Sequence, residues 1–221
     1  MIENNVFNRS SVDITTRELS AGIYNLAIGL TLLWGFVVNA YLVNTVPAAV
    51  IQAWNPFLFF GGYFASCLLG VFLFSRSSVP LVSFIGYNLV VVPFGLVLSV
   101  VVDRFEPGLV QTAINTTAGV TLLMMVLATI FPRFFARLGP ALFIALLCAI
   151  VIELVMVFVF KVHLEVMDWA IAVIFCGYIG YDWYRANNIP RTLDNAIDSA
   201  AALYMDIINL FIRILSILGR R

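Results

Sequence analysis

Between Glu18 and Arg76 the chain runs for 57 residues without a single Asp, Glu, Lys or Arg. Two further uncharged runs of 26 residues follow, from Arg76 to Asp103 and from Glu106 to Arg133. A bilayer crossing needs roughly 20 residues of helix, so each run holds at least one span and the first holds two. Soluble domains carry about a quarter of their residues as charges, whereas this chain has 11% charged and 62% hydrophobic residues. A chain of 221 residues with that balance cannot cover a soluble surface. The sequence specifies a polytopic integral membrane protein whose first partner is the lipid bilayer.

The apolar runs break at Pro, Gly, Asn and charge clusters. Pro47 and Asn55-Pro56 divide the longest one, because proline disfavours helix in the residue before it. Seven spans result, at approximately 21–46, 56–75, 81–102, 109–131, 140–160, 167–185 and 196–219. Short connections make consecutive helices antiparallel neighbours, so the expected fold is all-α, one transmembrane domain over 1–221. With the N-terminus inside, Arg9, Arg17, Arg76, Arg133, Arg137, Arg185 and Arg191 fall on the inner side, and Arg104 and Lys161 on the outer. Arg220 and Arg221 oppose that count, since seven spans place them outside. The polar N-terminal stretch lacks a basic segment and a small-residue cleavage site, so the first span is expected to be retained. Twelve basic and twelve acidic residues cancel, which removes any basic field for nucleic acid. Cys67, Cys148 and Cys176 sit in apolar runs and read as small buried residues, not as a disulfide or zinc framework.

The last two spans break the apolar pattern. Asp198, Asp206, Asn209, Arg213 and Ser216 fall within an arc of about 80° on the seventh helix at roughly 100° per residue. Asp206 lies near mid-span, where a carboxylate costs about 2.5–3.5 kcal/mol even on the mildest insertion scale. That stripe must face other helices or water, which predicts the seventh helix as the central one, wrapped by the first six. Asp206 reads as functional, or as a structural carboxylate neutralised by Arg213 or bonded to Asn209. Asp198, near the helix start, suits the helix dipole, and Arg213 suits a snorkelling role. Glu153 offers a second acidic site or simply finds a buried partner.

At the inner end of the sixth span stands Gly177-Tyr178-Ile179-Gly180-Tyr181-Asp182-Trp183-Tyr184-Arg185. Asp182 pairs by spacing with Arg185 at i+3, within an aromatic belt. From helix ends alone, Asp182 and Asp206 differ in depth by on the order of 10 Å at 1.5 Å per residue, so spacing permits their meeting without requiring it. Pro93 with Gly95 predicts a kink in the third span. Thr112, Asn115, Thr116 and Thr121 in the fourth read as interhelical glue, and His163 as a solvated loop residue.

The stretch Ile179-Gly180-Tyr181-Asp182, then Ala202-Leu203-Tyr204-Met205-Asp206-Ile207-Ile208-Asn209-Leu210-Phe211, then Leu215 to Gly219, resembles the C-terminal signature of the Bax inhibitor-1 (transmembrane Bax inhibitor motif) family. The resemblance is sharp over the last 43 residues and fits the whole topology. For a bacterial-type member it implies a pH-sensitive calcium leak channel with six helices around a seventh. It also implies a proton-sharing aspartate pair at Asp182 and Asp206, and a latching arginine for which Arg76 is the match. The second span here lacks any acid that relatives contribute from it. It further implies an inner-membrane location with a cytoplasmic N-terminus, no bound cofactor, and calcium and protons as the species handled.

Two carboxylates in a low-dielectric site cannot both ionise cheaply, so one proton is shared and the pair titrates as a unit. Ionised, the two aspartates also offer hard oxygens suited to calcium. Catalysis fits poorly. The only histidine is at a boundary, the Gly-x-Gly-Asp loop of membrane aspartyl proteases is absent, and the last span has no lysine for a retinal Schiff base. A proton-coupled cation transporter using the same aspartates, and a non-conducting regulator that binds another membrane protein, remain the competing readings.

Overall fold

The computed structural model of the protein describes residues 18–162 and 164–220. Among these residues the chain is helical, with α1 (Ala21–Thr45), α2 (Ala48–Gln52), α3 (Pro56–Arg76), α4 (Pro80–Val102), α5 (Pro107–Ile130), α6 (Pro132–Phe135), α7 (Gly139–Phe158), α8 (Glu165–Ala186) and α9 (Leu193–Leu218). Proline sets most of the starts. It opens α3, α4, α5 and α6, where its missing N–H is one the first turn leaves unbonded anyway. Asn55 caps α3 by accepting from the Phe57 and Leu58 amides. The short α2 and α6 occupy connections that the sequence pattern left without structure.

Six helices, α1, α3, α4, α5, α7 and α9, are long and apolar enough to cross a membrane. The helix expected as the sixth span, α8, has the length but carries Glu165, Asp168, Asp182 and Arg185. Large apolar side chains such as Phe57, Leu58, Leu68 and Phe143 point outward, as the lipid-facing surface of a membrane protein requires. Of the six, α9 is the most buried, with half of its apolar window covered against 6% in α7.

The fold consists of two compact units: the described parts of Met1–Arg104 with Ala186–Tyr204, and Phe105–Arg185 with Met205–Arg221. In the first, α3 and α4 approach until their backbones touch. A Cβ added at Gly70 would lie 2.5 Å from the Gly86 carbonyl oxygen, and one at Gly86 2.7 Å from that of Gly70. Pro93, inside α4, has no N–H to give the Leu89 carbonyl. The Ser66 hydroxyl of α3 donates to that carbonyl at 2.7 Å, meeting the demand that apolar surroundings place on a freed backbone group. The fully buried Tyr87 reaches from α4 to donate to the Thr31 carbonyl of α1 at 3.0 Å. Asn39 of α1 donates to the Tyr204 hydroxyl at 2.6 Å, tying in the first half of α9. Ser83 donates to Asp194 at 2.7 Å.

In the second unit α8 and α9 run antiparallel. Asp168 near the start of α8 meets Ser216 near the end of α9, and Asp182 near the end of α8 meets Asp206. Gly180 lies against the Phe135 ring of α6, and a Cβ there would collide with it. The glycine preceding Tyr181-Asp182 is thus a packing requirement of that short helix.

Candidate functional site

Asp206 is 7% exposed in the second half of α9, and the Asp182 side chain is 14% exposed one turn from the end of α8. The two carboxyls lie against each other across α8 and α9, and one Asp206 oxygen is buried without a hydrogen-bond partner. Two carboxylates have no donor between them, so a hydrogen bond across this contact forms only when one of them carries a proton. On its other side Asp182 lies 3.6 Å from Arg185, whose guanidinium stands 5.1 Å over the Tyr181 ring. Tyr178 completes the surroundings of both acids.

The alternative partners weighed for Asp206 are engaged elsewhere. Asn209 donates to the Met205 carbonyl of its own helix at 2.7 Å. Arg213 turns to two other helices: Nη1 and Nη2 donate to the two Glu153 oxygens of α7, and Nη1 also donates to Asp168 of α8, all at 2.8 Å. Asp168, 1% exposed, accepts in addition from Ser216 at 3.0 Å and pairs with Arg220. Bidentate arginine to carboxylate is the strongest form of such a pair, and both acids and both bases here balance in charge. The snorkelling assignment for Arg213 is therefore corrected, because its head group is bound by carboxylates within the protein.

Asp198 falls in the first unit, buried near Tyr24. Arg76 ends α3 in the same unit, exposed, with its guanidinium 5.5 Å from the Phe72 ring centre. Thr112 and Thr116 donate to carbonyls four residues back in α5, and Gln111 donates to Asn115, so these groups are satisfied within one helix and do not glue helices together. His163, Arg9, Arg17 and Arg221 lie outside the described residues. Sequence reasoning missed Asp168 and Arg220. An acid in the first turn of α8 and an arginine just past the end of an antiparallel α9 were the available signal. Among the described residues no three His, Cys, Asp or Glu side chains converge as a metal-holding group.

Residues 17–221 match the family model described as inhibitor of apoptosis-promoting Bax1. An uncharacterized protein of Helicobacter pylori strain J99 is 34% identical over 205 residues, covering 83% of each chain. Bax inhibitor 1 of Schizosaccharomyces pombe is 35% identical over 130 residues, 57% of this chain and 47% of its own. Protein LIFEGUARD 4 of Arabidopsis thaliana is 44% identical over 86 residues, 38% of this chain and 34% of its own.

Proposed function

This chain belongs to the Bax inhibitor-1 family, and on that premise we propose that it is a pH-sensitive calcium leak channel whose gate is the Asp182–Asp206 pair. What supports the reading is the close approach of the two carboxyls of α8 and α9, where one shared proton would form a hydrogen bond between them. With the shared proton in place the bond holds the two helices together and the pathway is closed. Loss of that proton leaves two anions in a poorly solvated site, which repel and release the contact. The resemblance gives Arg76 the part of a latch. The two ionised carboxylates then present hard oxygens to a passing cation. Two acids without a third convergent ligand suit a transit position better than a resident metal site.

In this reading all seven long helices span, α9 is the innermost, and the N-terminus is cytoplasmic in a bacterial inner membrane. Arg220, held by Asp168, is a neutralised charge and weighs little against that orientation. The family is not one of enzymes, and no catalytic role is assigned. A second reading follows from the name of the yeast relative, Bax inhibitor 1: a non-conducting regulator that binds another membrane protein.

Calcium flux into proteoliposomes across pH 6 to 8 tests the proposal. Wild-type flux should rise with pH, and the Asp182→Asn, Asp206→Asn double variant should lose the dependence. A double variant that keeps the wild-type profile sinks the gate. Flux that follows an imposed proton gradient and saturates would point to a proton-coupled transporter using the same pair. Absence of flux with a specific co-purifying membrane protein would point to the regulator.

A further inference from the structure

On α9 the face that carries Asp206 continues through Asn209 to Arg213 and Ser216, so a path leading past the aspartate pair meets Arg213 two turns on, about 10 Å along the helix. At that level three helices converge on one guanidinium through three 2.8 Å bonds. The cluster is uneven. Asp168 is sealed, while the Glu153, Arg213 and Arg220 side chains are each about a quarter exposed. Asp168 also has a second base, Arg220, and a hydroxyl, Ser216. Arg213 can therefore release Glu153, the wetter of its two partners, while Asp168 stays neutralised. Two bases balance two acids, but unevenly: Asp168 holds both arginines, whereas Glu153 is bound through Arg213, and apolar side chains would serve a tie for packing alone as well.

We infer that Glu153, Asp168, Arg213 and Arg220 form a second closure on the polar face of α9, an autoinhibitory ion cluster that blocks water and cations until Arg213 lets go of Glu153. Its purpose rests on the conduction reading above, but its geometry does not.

The test uses the full chain in proteoliposomes with Cys67, Cys148 and Cys176 replaced by alanine and Asn209→Cys added, one turn from Arg213 toward the aspartate pair. The rate at which a charged methanethiosulfonate reagent labels position 209 reports whether water reaches that face. The Glu153→Gln, Arg213→Gln double variant removes the releasable pair and leaves Asp168 with Arg220 and Ser216. Labelling should rise about tenfold or more, the effect expected when a charge-assisted contact worth at least ~1.4 kcal/mol of closure is lost. Glu153→Asp, which keeps the charge but shortens the reach, should give a smaller rise and guards against a double variant that does not fold. Unchanged labelling in a folded variant overturns the closure, even where calcium flux is normal. Faster labelling in a protein that passes no calcium upholds the closure and removes the conduction reading.

Discussion

Replacing Arg213 by methionine keeps an unbranched apolar stem and deletes its three charged hydrogen bonds. Each such bond contributes about 1.5–3 kcal/mol when both partners are held, but they share one guanidinium and do not add. Breaking a buried ion pair by removing one partner costs about 3–5 kcal/mol, because the other charge is stranded. Here the stranded acids are Glu153, whose side chain is 23% exposed, and Asp168, which keeps Arg220 and Ser216. The loss should sit at the low end, about 3 kcal/mol. For a chain of this size that is a fall of roughly 6–12 °C in unfolding temperature, measured by fluorescence in detergent. Arg213→Lys should recover only part of it, since an ammonium cannot make two parallel bonds to one carboxylate. The Glu153→Gln, Arg213→Gln pair should cost less than Arg213→Gln alone, because the stranded anion is gone. Should Arg213→Met melt with wild type, or the double variant melt below the single, the cluster contributes nothing as described and the reasoning fails.

Other expectations concern separate contacts. Ser66→Ala should destabilise by about 1–2 kcal/mol, since it strips the donor from the carbonyl that Pro93 frees, and adding Pro93→Ala should recover most of the loss in the same melt. Gly86→Ala drives a methyl onto the α3 backbone and should cost about 1–3 kcal/mol, with no relief from any side-chain change on α3. Gly180→Ala should disturb the α8–α6 contact and be partly rescued by Phe135→Ala, because there the obstacle is a removable ring. In the flux assay, Asp206→Asn alone should flatten the pH profile, as an amide can hold Asp182 without a titrating proton. A profile that keeps its steepness in this variant assigns the sensing elsewhere.

The helix limits were legible because charge gaps and prolines mark them directly: the bounds of all seven long helices lie within three residues of those expected, and six of these helices are long and apolar enough to cross a membrane. The partner of Arg213 was not. Asp206 and Asn209 lie on the same face of the same helix, and periodicity ranks side chains by face without saying how far a guanidinium reaches sideways. Arg220 was read as a topological charge, and only coordinates show it held against Asp168. The meeting of Asp182 and Asp206 was equally beyond spacing arithmetic, since it depends on where α9 starts after a short connection. Thr112 and Thr116 of α5 show the converse error: polar residues in an apolar helix need a partner, and the nearest carbonyl is often their own.

The touching backbones of Gly70 and Gly86, with the Ser66 hydroxyl bridging one turn further along, weld two spans into a single plank. Arg76, a turn and a half past Gly70, is mounted at the tip of that plank. Re-aiming its guanidinium is then either a rotamer change, fast and local, or a displacement that must drag both helices through lipid. Any kinetic step slower than side-chain rotation that depends on Arg76 would carry the drag of two rods and not one.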